Sequence, residues 1–192
     1  MVIAVDLDGV VFDSEEYFRV YAHLYDLHTV NHGLRTKSAA DPTTRHEWDK
    51  NSIDEFYEKF TEEILTKAPI KPGAKYVLDE LRKRGHKLIC ITLRGHYREC
   101  EKRVTEDRFN KEGVVFDKTF YSEKDKLSVC LAEKVDVIIE DNINTISKIS
   151  QNGIRCFHFG SFLLNEFVNE NVTQVQNWAD IYESILKLEK QI

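Results

Sequence analysis

Short apolar runs recur along the chain, each bounded by polar or turn-forming residues. Val2 to Val5 is the first, "KLICIT" (Lys87 to Thr92) the second and "VVFDKTFYS" a weaker third. "VDVIIED" (Val135 to Asp141) and "IRCFHFG" (Ile154 to Gly160) follow. Between these runs the apolar positions take on helical spacing. Pro72 precedes Ala74, Val77, Leu78 and Leu81, spaced i, i+3, i+4 and i+7, and Gly85 stands where a helix would stop. Ile143, Ile146 and Ile149 form another stripe, closed by Gly153. Tyr97 to Glu112 and the tail around Ile181, Ile185 and Leu188 read the same way. Strands that alternate with helices imply parallel βαβ units, with helices covering both sheet faces. The pattern predicts an α/β fold built on a doubly wound parallel sheet.

One stretch breaks the alternation. Asp13 to about Lys71 separates the first strand from the Pro72 helix and is far longer than an ordinary crossover. It carries helical patterns of its own. Asp13 with Glu16 predicts a capping box ahead of Tyr17, Val20, Tyr21 and Leu24, and Ser52 with Glu55 predicts another ahead of Ile53, Phe56, Tyr57 and Phe60. The polar, turn-rich "HTVNHGLRTKSAADPTTRHEW" between them reads as a loop. Residues 13–71 are therefore expected to form a small helical insertion, with 1–12 and 72–192 as the α/β core. The insertion would stand over the C-terminal end of the first strand, where open α/β sheets bind ligands. Its aromatics lie at helical spacing, which favours packing over a base-stacking platform.

Composition narrows the field. At 192 residues, with 42% hydrophobic and 31% charged, the chain suits one soluble core domain. A net charge of −6 with no basic tract argues against binding a nucleic-acid polymer. Cys90, Cys100, Cys130 and Cys156 show neither CxxC pairing nor zinc spacing, and Cys90 and Cys156 read as buried thiols. No apolar run approaches the roughly 20 residues of a membrane span, and the first residues begin a strand rather than a signal segment. A cytoplasmic location is expected.

The candidate chemistry sits where the apolar runs end. Successive strand residues face opposite ways, so Asp6 and Asp8 of "AVDLDGVVFDS" share a side while Leu7 points to the other. Two close carboxylates repel, the more so when buried, and a divalent cation such as Mg²⁺ would remove that penalty. "ITLRG" ends the second run. There the Thr92 hydroxyl and the next backbone N–H, that of Leu93, could donate to a phosphate oxygen, with Arg94 either a further phosphate contact or a surface residue. "IIEDN" brings Glu140 and Asp141 to the same edge, where they could also cap the next helix. In "SEKDKLSVC" two lysines lie near a helix start, which the dipole disfavours unless an anion compensates. Lys126 is preferred to Lys124 because it immediately precedes the apolar helix.

Taken in order, these residues resemble the motifs of the haloacid dehalogenase superfamily of phosphatases. "DLDGV" is similar to its first motif, "ITLR" to its second, Lys126 to the lysine of its third and "IIEDN" to its fourth. The insertion stands where that superfamily carries a C1-type helical cap. "SEKDKLSVC" and "IIEDNINTISKISQNGI" look most similar to the 5′(3′)-deoxyribonucleotidase-like branch. The resemblance implies a Rossmann-like core and a Mg²⁺-dependent phosphomonoester hydrolase. Asp6 would be the nucleophile, forming an aspartyl-phosphate, and Asp8 the general acid and then base. Mg²⁺ would be held by Asp6, the Asp8 backbone carbonyl and Asp141, with Glu140 acting through a water. Thr92, Leu93, Arg94 and Lys126 would bind the phosphate. The partner would be a small phosphorylated metabolite: a nucleotide or, alternatively, a sugar phosphate or other small phosphomonoester. A receiver-like phosphoacceptor fits less well, because its acceptor aspartate follows a later strand. A silent binding protein is the remaining non-enzymatic alternative.

Overall fold

Val2 to Val5 is apolar on both faces, and such a strand belongs at the centre of a sheet. The computed structural model, which describes residues 1–31, 33–35, 42–160 and 169–190, places it there. This strand, β1 (Val2–Val5), pairs with β2 (Lys87–Ile91) on one side and β4 (Val137–Glu140) on the other. β3 (Lys118–Phe120), β5 (Arg155–Phe159) and β6 (Val172–Val175) complete a parallel sheet of order β3-β2-β1-β4-β5-β6. The strand order reverses between β1 and β4, the place where open α/β sheets bind ligands at the strands' carboxyl ends. The α/β, doubly wound expectation holds.

Alternation along the strands sorts the core into two layers. Ile3, Val5, Leu88, Cys90, Val137, Ile139 and Phe157 face α4 (Ala74–Lys83) and α8 (Trp178–Glu189). Ala4, Ile89, Ile91, Ile138 and Cys156 face α6 (Lys126–Ala132) and α7 (Ile143–Ser150). The stripe Ala74, Val77, Leu78, Leu81 is buried as its spacing requires, and Gly85 follows with φ +85°. Cys90 and Cys156 are buried, and all four cysteines are free. None of the helices among the described residues is long and apolar enough to cross a membrane.

The segment between β1 and α4 makes a third cluster. α1 (Ser14–Tyr25) runs on into a π-helical turn (Asp26–Val30), followed by α2 (Pro42–Arg45) and α3 (Lys50–Lys67). Ala22, Tyr25, Trp48, Phe56 and Ile64 are its buried centre. Those aromatics pack on one another, Tyr25 edge-on to Trp48 at 5.2 Å, so packing is their role, as their spacing implies. The two ends of the segment are tied together. The Asp13 amide donates to the Pro69 carbonyl (2.9 Å), the Lys71 amide donates to Val11 (2.8 Å), and Lys71 Nζ pairs with Asp13 (2.7 Å). On its far side, α3 packs on α5 (Cys100–Glu112). There Arg108 donates to the carbonyls of Leu65 and Thr66 at 3.0 and 2.7 Å, satisfying the helix end.

Several local expectations are corrected. Asp13 precedes α1 without capping it, because Lys71 engages its carboxylate. α3 starts earlier than the Ser52–Glu55 pattern implied, since Asp49 accepts from the Ser52 amide at 2.8 Å. Asn142, rather than Glu140 or Asp141, caps α7, accepting from the Asn144 and Thr145 amides. α5 begins at Cys100 and not Tyr97, after a turn in which the Gly95 amide donates to Glu101 (2.7 Å). The loop read over residues 28–48 holds part of the π turn, α2 and a bridge from Leu34 to His46, while residues 32 and 36–41 lie outside the described residues. β6 was not anticipated. Its sequence, VTQV, buries only Val175, the mark of a short edge strand.

One tertiary hydrogen bond links the last helix to the turn after β1: Trp178 Nε1 donates to the Val10 carbonyl at 3.0 Å, with the Trp178 side chain fully buried. Trp178→Phe keeps an aromatic ring but orphans that carbonyl, and is expected to lower stability by about 1–3 kcal/mol. An unchanged denaturation midpoint would show that the bond contributes nothing.

Candidate active site

β1 stops at Val5, but its pairing with β4 runs one residue further. The Asp6 amide donates to the Ile139 carbonyl at 3.0 Å, which fixes the aspartate at the sheet edge. Leu7 turns into the core, and its carbonyl accepts from the amides of Val10, Val11 and Phe12. This tight turn carries Asp8 and passes through Gly9 at φ +74°, a region glycine adopts freely. A Cβ there would collide with the Asp141 carboxylate and come within 3.3 Å of Glu15 Cδ. The glycine in "DLDGV" is thus required by close approach as well as by its dihedral angle.

β4 delivers the opposing acids. Glu140, fully buried, accepts from the Asp141 and Asn142 amides with one oxygen and from Lys126 Nζ with the other (2.6 Å). Lys126 opens α6 and also reaches Asp6 Oδ1 at 2.8 Å, bridging the two carboxylates, whereas Lys124 is exposed. Asp141 completes the cluster: one carboxylate oxygen each from Asp6, Glu140 and Asp141 lie within 4.8 Å of one another. Burial, followed by the Glu140 charge, pushes Asp6 up to about 7. Burial with Glu140 and Asp6 likewise raises Asp141 well above the carboxylate range. For Lys126, burial works against the charge, but Asp6 and Glu140 outweigh it and hold the ammonium well above its ordinary value. Three crowded carboxylates around one ammonium form an oxygen-only donor set whose full ionisation their mutual repulsion opposes. That set fits a hard divalent cation such as Mg²⁺.

The second motif lies at the end of β2. Thr92, fully buried, donates its amide to Phe120 and accepts from the Glu123 amide through its carbonyl, each at 3.0 Å. Its hydroxyl oxygen accepts from the Arg94 amide (3.2 Å), which leaves the hydroxyl hydrogen free to donate elsewhere. Leu93 sits between them, partly buried. Arg94 is no surface residue. It is 4% exposed and grips Asp8 with both edge nitrogens, Nη2 to Oδ1 at 2.6 Å and Nε to Oδ2 at 2.9 Å. Burial would raise the Asp8 pKa, but the Arg94 charge and hydrogen bonds, helped by Ser14, hold it below the ordinary value.

Direct contacts thus join these residues in two groups, Asp6 with Lys126, Glu140 and Asp141, and Asp8 with Arg94 and, through the Arg94 amide, Thr92. The Asp8 charge is felt at Asp6. Three further participants escaped the sequence reading. The Ser14 hydroxyl donates to Asp8 Oδ1. Glu15, whose pKa is raised chiefly by burial, stands beside Asp141. His158 Nε2 donates to the Asp141 carbonyl at 3.2 Å from the neighbouring strand β5. Ser14 and Glu15 follow Asp13 directly, so position relative to the motif was the available signal. His158 had none, being one histidine in an apolar run.

The crowding has a measurable consequence without divalent cations. An unfolded aspartate releases its proton near pH 3.9, whereas folded Asp6 keeps its proton up to about pH 7. Within that window the folded state binds the extra proton, so this contribution to stability is lost as pH rises from about 4 to 7. Asp6→Asn cannot ionise, and is expected to be about 1–4 kcal/mol more stable than wild type at pH 8 in EDTA. The gain should vanish near pH 4. Denaturant titrations at the two pH values measure it, and equal pH slopes for the two proteins would refute the assignment.

No family model matches the chain. A nucleotidase of Clostridium acetobutylicum is 20% identical over 193 residues, covering 97% of this chain and 94% of that protein. Among solved structures, one described as a predicted phosphatase from Clostridium acetobutylicum superposes with a TM-score of 0.71 at 17% identity, covering 97% of this chain and 98% of that one. A haloacid dehalogenase-like hydrolase from Streptococcus pneumoniae gives 0.68 at 12% identity, with 97% of each chain covered. One described as a predicted phosphoglycolate phosphatase from Haemophilus somnus gives 0.67 at 14%, covering 96% and 97%. Each likeness spans the helical insertion together with the sheet. The chain has the fold of the haloacid dehalogenase superfamily of hydrolases.

Proposed function

We propose that the protein is a Mg²⁺-dependent phosphomonoester hydrolase acting on a small phosphorylated metabolite. The supporting observation is the convergence of Asp6, Lys126, Glu140 and Asp141 at the edge where β1 and β4 meet, with Asp8 on the adjoining turn. Asp6, the Asp8 backbone carbonyl and Asp141 would hold the cation, with Glu140 acting through a water. When bound, the ion neutralises charge so that a carboxylate can approach an anionic phosphate.

The chain's own groups do the rest. Asp8 has to carry a proton when substrate is bound, although Arg94 and Ser14 favour its carboxylate in the free protein. Asp6 then attacks phosphorus, and the ester oxygen departs with that proton, leaving an aspartyl-phosphate and the free alcohol. Asp8, now a carboxylate, takes a proton from the water that attacks phosphorus, releasing inorganic phosphate and restoring Asp6. That proton serves the next leaving group, so the cycle balances. The Thr92 hydroxyl, the Leu93 amide and Lys126 hold the transferring oxygens, where fixed donors contribute most. Residues 13–71 serve as the cap over this edge.

Two substrate classes follow from different observations. The similarity of "SEKDKLSVC" and "IIEDNINTISKISQNGI" to deoxyribonucleotidases, together with the distant nucleotidase relative, supports a nucleoside monophosphate. A neighbour described as a β-phosphoglucomutase, from Bacteroides vulgatus, supports a sugar phosphate. A cytoplasmic setting accords with four free thiols.

Hydrolysis of an aryl phosphate is expected to require Mg²⁺ and to stop with EDTA. Asp6→Asn should abolish turnover, and Asp8→Asn should lower it by about 10²–10⁴-fold with the fold retained. Full turnover in Asp6→Asn would remove it as nucleophile. A panel of deoxynucleoside monophosphates and sugar phosphates, ranked by kcat/KM, decides the substrate class.

A further inference from the structure

Arg94 has the charge and the place in its motif to hold a phosphate, yet each of its three side-chain nitrogens already donates to a partner. Nε lies 2.9 and 3.2 Å from the two Asp8 oxygens and Nη2 lies 2.6 Å from Oδ1, a two-pronged grip on one carboxylate. Nη1 donates to the Thr105 hydroxyl at 3.1 Å, which itself donates to the Glu101 carbonyl at 2.7 Å. The guanidinium packs over the Phe12 ring, 5.2 Å from its centroid. The backbone is fixed as well: the amide donates to Thr92 Oγ1, and the carbonyl accepts from Ser122 at 2.9 Å. The Arg94 side chain is 3% exposed and that of Asp8 34%, so the arginine stands behind the aspartate rather than beside it at the opening. An incoming phosphate would have to displace Asp8 to reach the guanidinium.

Resting on the phosphatase reading above, we propose that Arg94 is a positioning residue for Asp8 and not a ligand of the substrate phosphate. Asp8 sits on a tight turn next to a glycine, so its carboxylate has little local packing to orient it. A planar fork anchored on Thr105 and Phe12 sets both the carboxylate's plane and its distance from the phosphate. Ser14, from the start of α1, holds the same oxygen as Nη2. That grip still leaves 34% of the Asp8 side chain exposed. Proton transfer depends steeply on such placement, since a displacement of about 1 Å can cost about 10²-fold.

A double-mutant cycle separates the two roles. Arg94→Met in otherwise wild-type protein should lower kcat on an aryl phosphate by about 10–10²-fold. KM and the inhibition constant of inorganic phosphate should stay within about twofold. In the Asp8→Asn background the same change should cost less than about threefold, because the group it positions is already disabled. Arg94→Lys should recover little, lacking the fork. Thr105→Val removes the fork's anchor without touching Asp8. It should reduce kcat in wild type but not in Asp8→Asn, and it carries the test if Arg94→Met does not fold. Losses that multiply across the cycle, or an inhibition constant for phosphate raised tenfold and restored by lysine, would overturn the proposal and make Arg94 a phosphate ligand. Absence of turnover in the wild type would overturn the phosphatase reading and this proposal with it.

Discussion

The ammonium of Lys126 lies between the carboxylates of Asp6 and Glu140, and the rest of the site is arranged around that bridge. Asp6 is held by the sheet and Glu140 by two backbone amides, so neither can retreat from the other. One lysine offsets part of the repulsion, and Asp141 on the next residue renews it. The repulsion is therefore a property of the backbone path and not of a chosen rotamer. A divalent cation would relieve the repulsion at this corner of the molecule.

Strand order is what brings these groups together. Asp6 and Glu140 are distant in sequence but follow adjacent parallel strands, and parallel strands that start in step end in step. The switch in winding direction at β1 opens the sheet edge between them, and α6 and α7 aim their first turns at the gap. Thr92 arrives from the other side on β2, whose Cys90 is in register with Val5. The geometry thus asks little of individual loops. The inserted helices join this edge through the short neck between Asp13 and Lys71, so Ser14 and Glu15 come to the site from a different cluster than the acids they touch.

Much of this was legible from hydrophobic patterning. The α/β alternation, the buried stripe of α4 and the strand-end positions of Asp6, Thr92 and Glu140 all follow from side-chain period and run length. Lys126 could be preferred to Lys124 because it immediately precedes the apolar helix, and it is the one buried against the acids. What could not be read depends on pairs distant in sequence. Nothing near Arg94 says that its partner is Asp8, because the contact exists only once β1 and β2 lie side by side. Asp13 has the chemistry of a helix cap, yet Lys71, across the neck, engages its carboxylate. β6 carries too few apolar residues to register as a strand by itself, and its pairing with β5 makes it one.

The hydrogen bond from Trp178 to Val10 ties the turn bearing Asp8 to a residue 168 positions later in the chain. That turn is therefore not a self-contained loop, although its own amides close on Leu7. During synthesis its acids emerge well before the indole that steadies them. A chain made only as far as β5 holds Asp6 and Asp8 but not the indole that braces their turn. The turn gains this support only when the α8 tryptophan has docked on it.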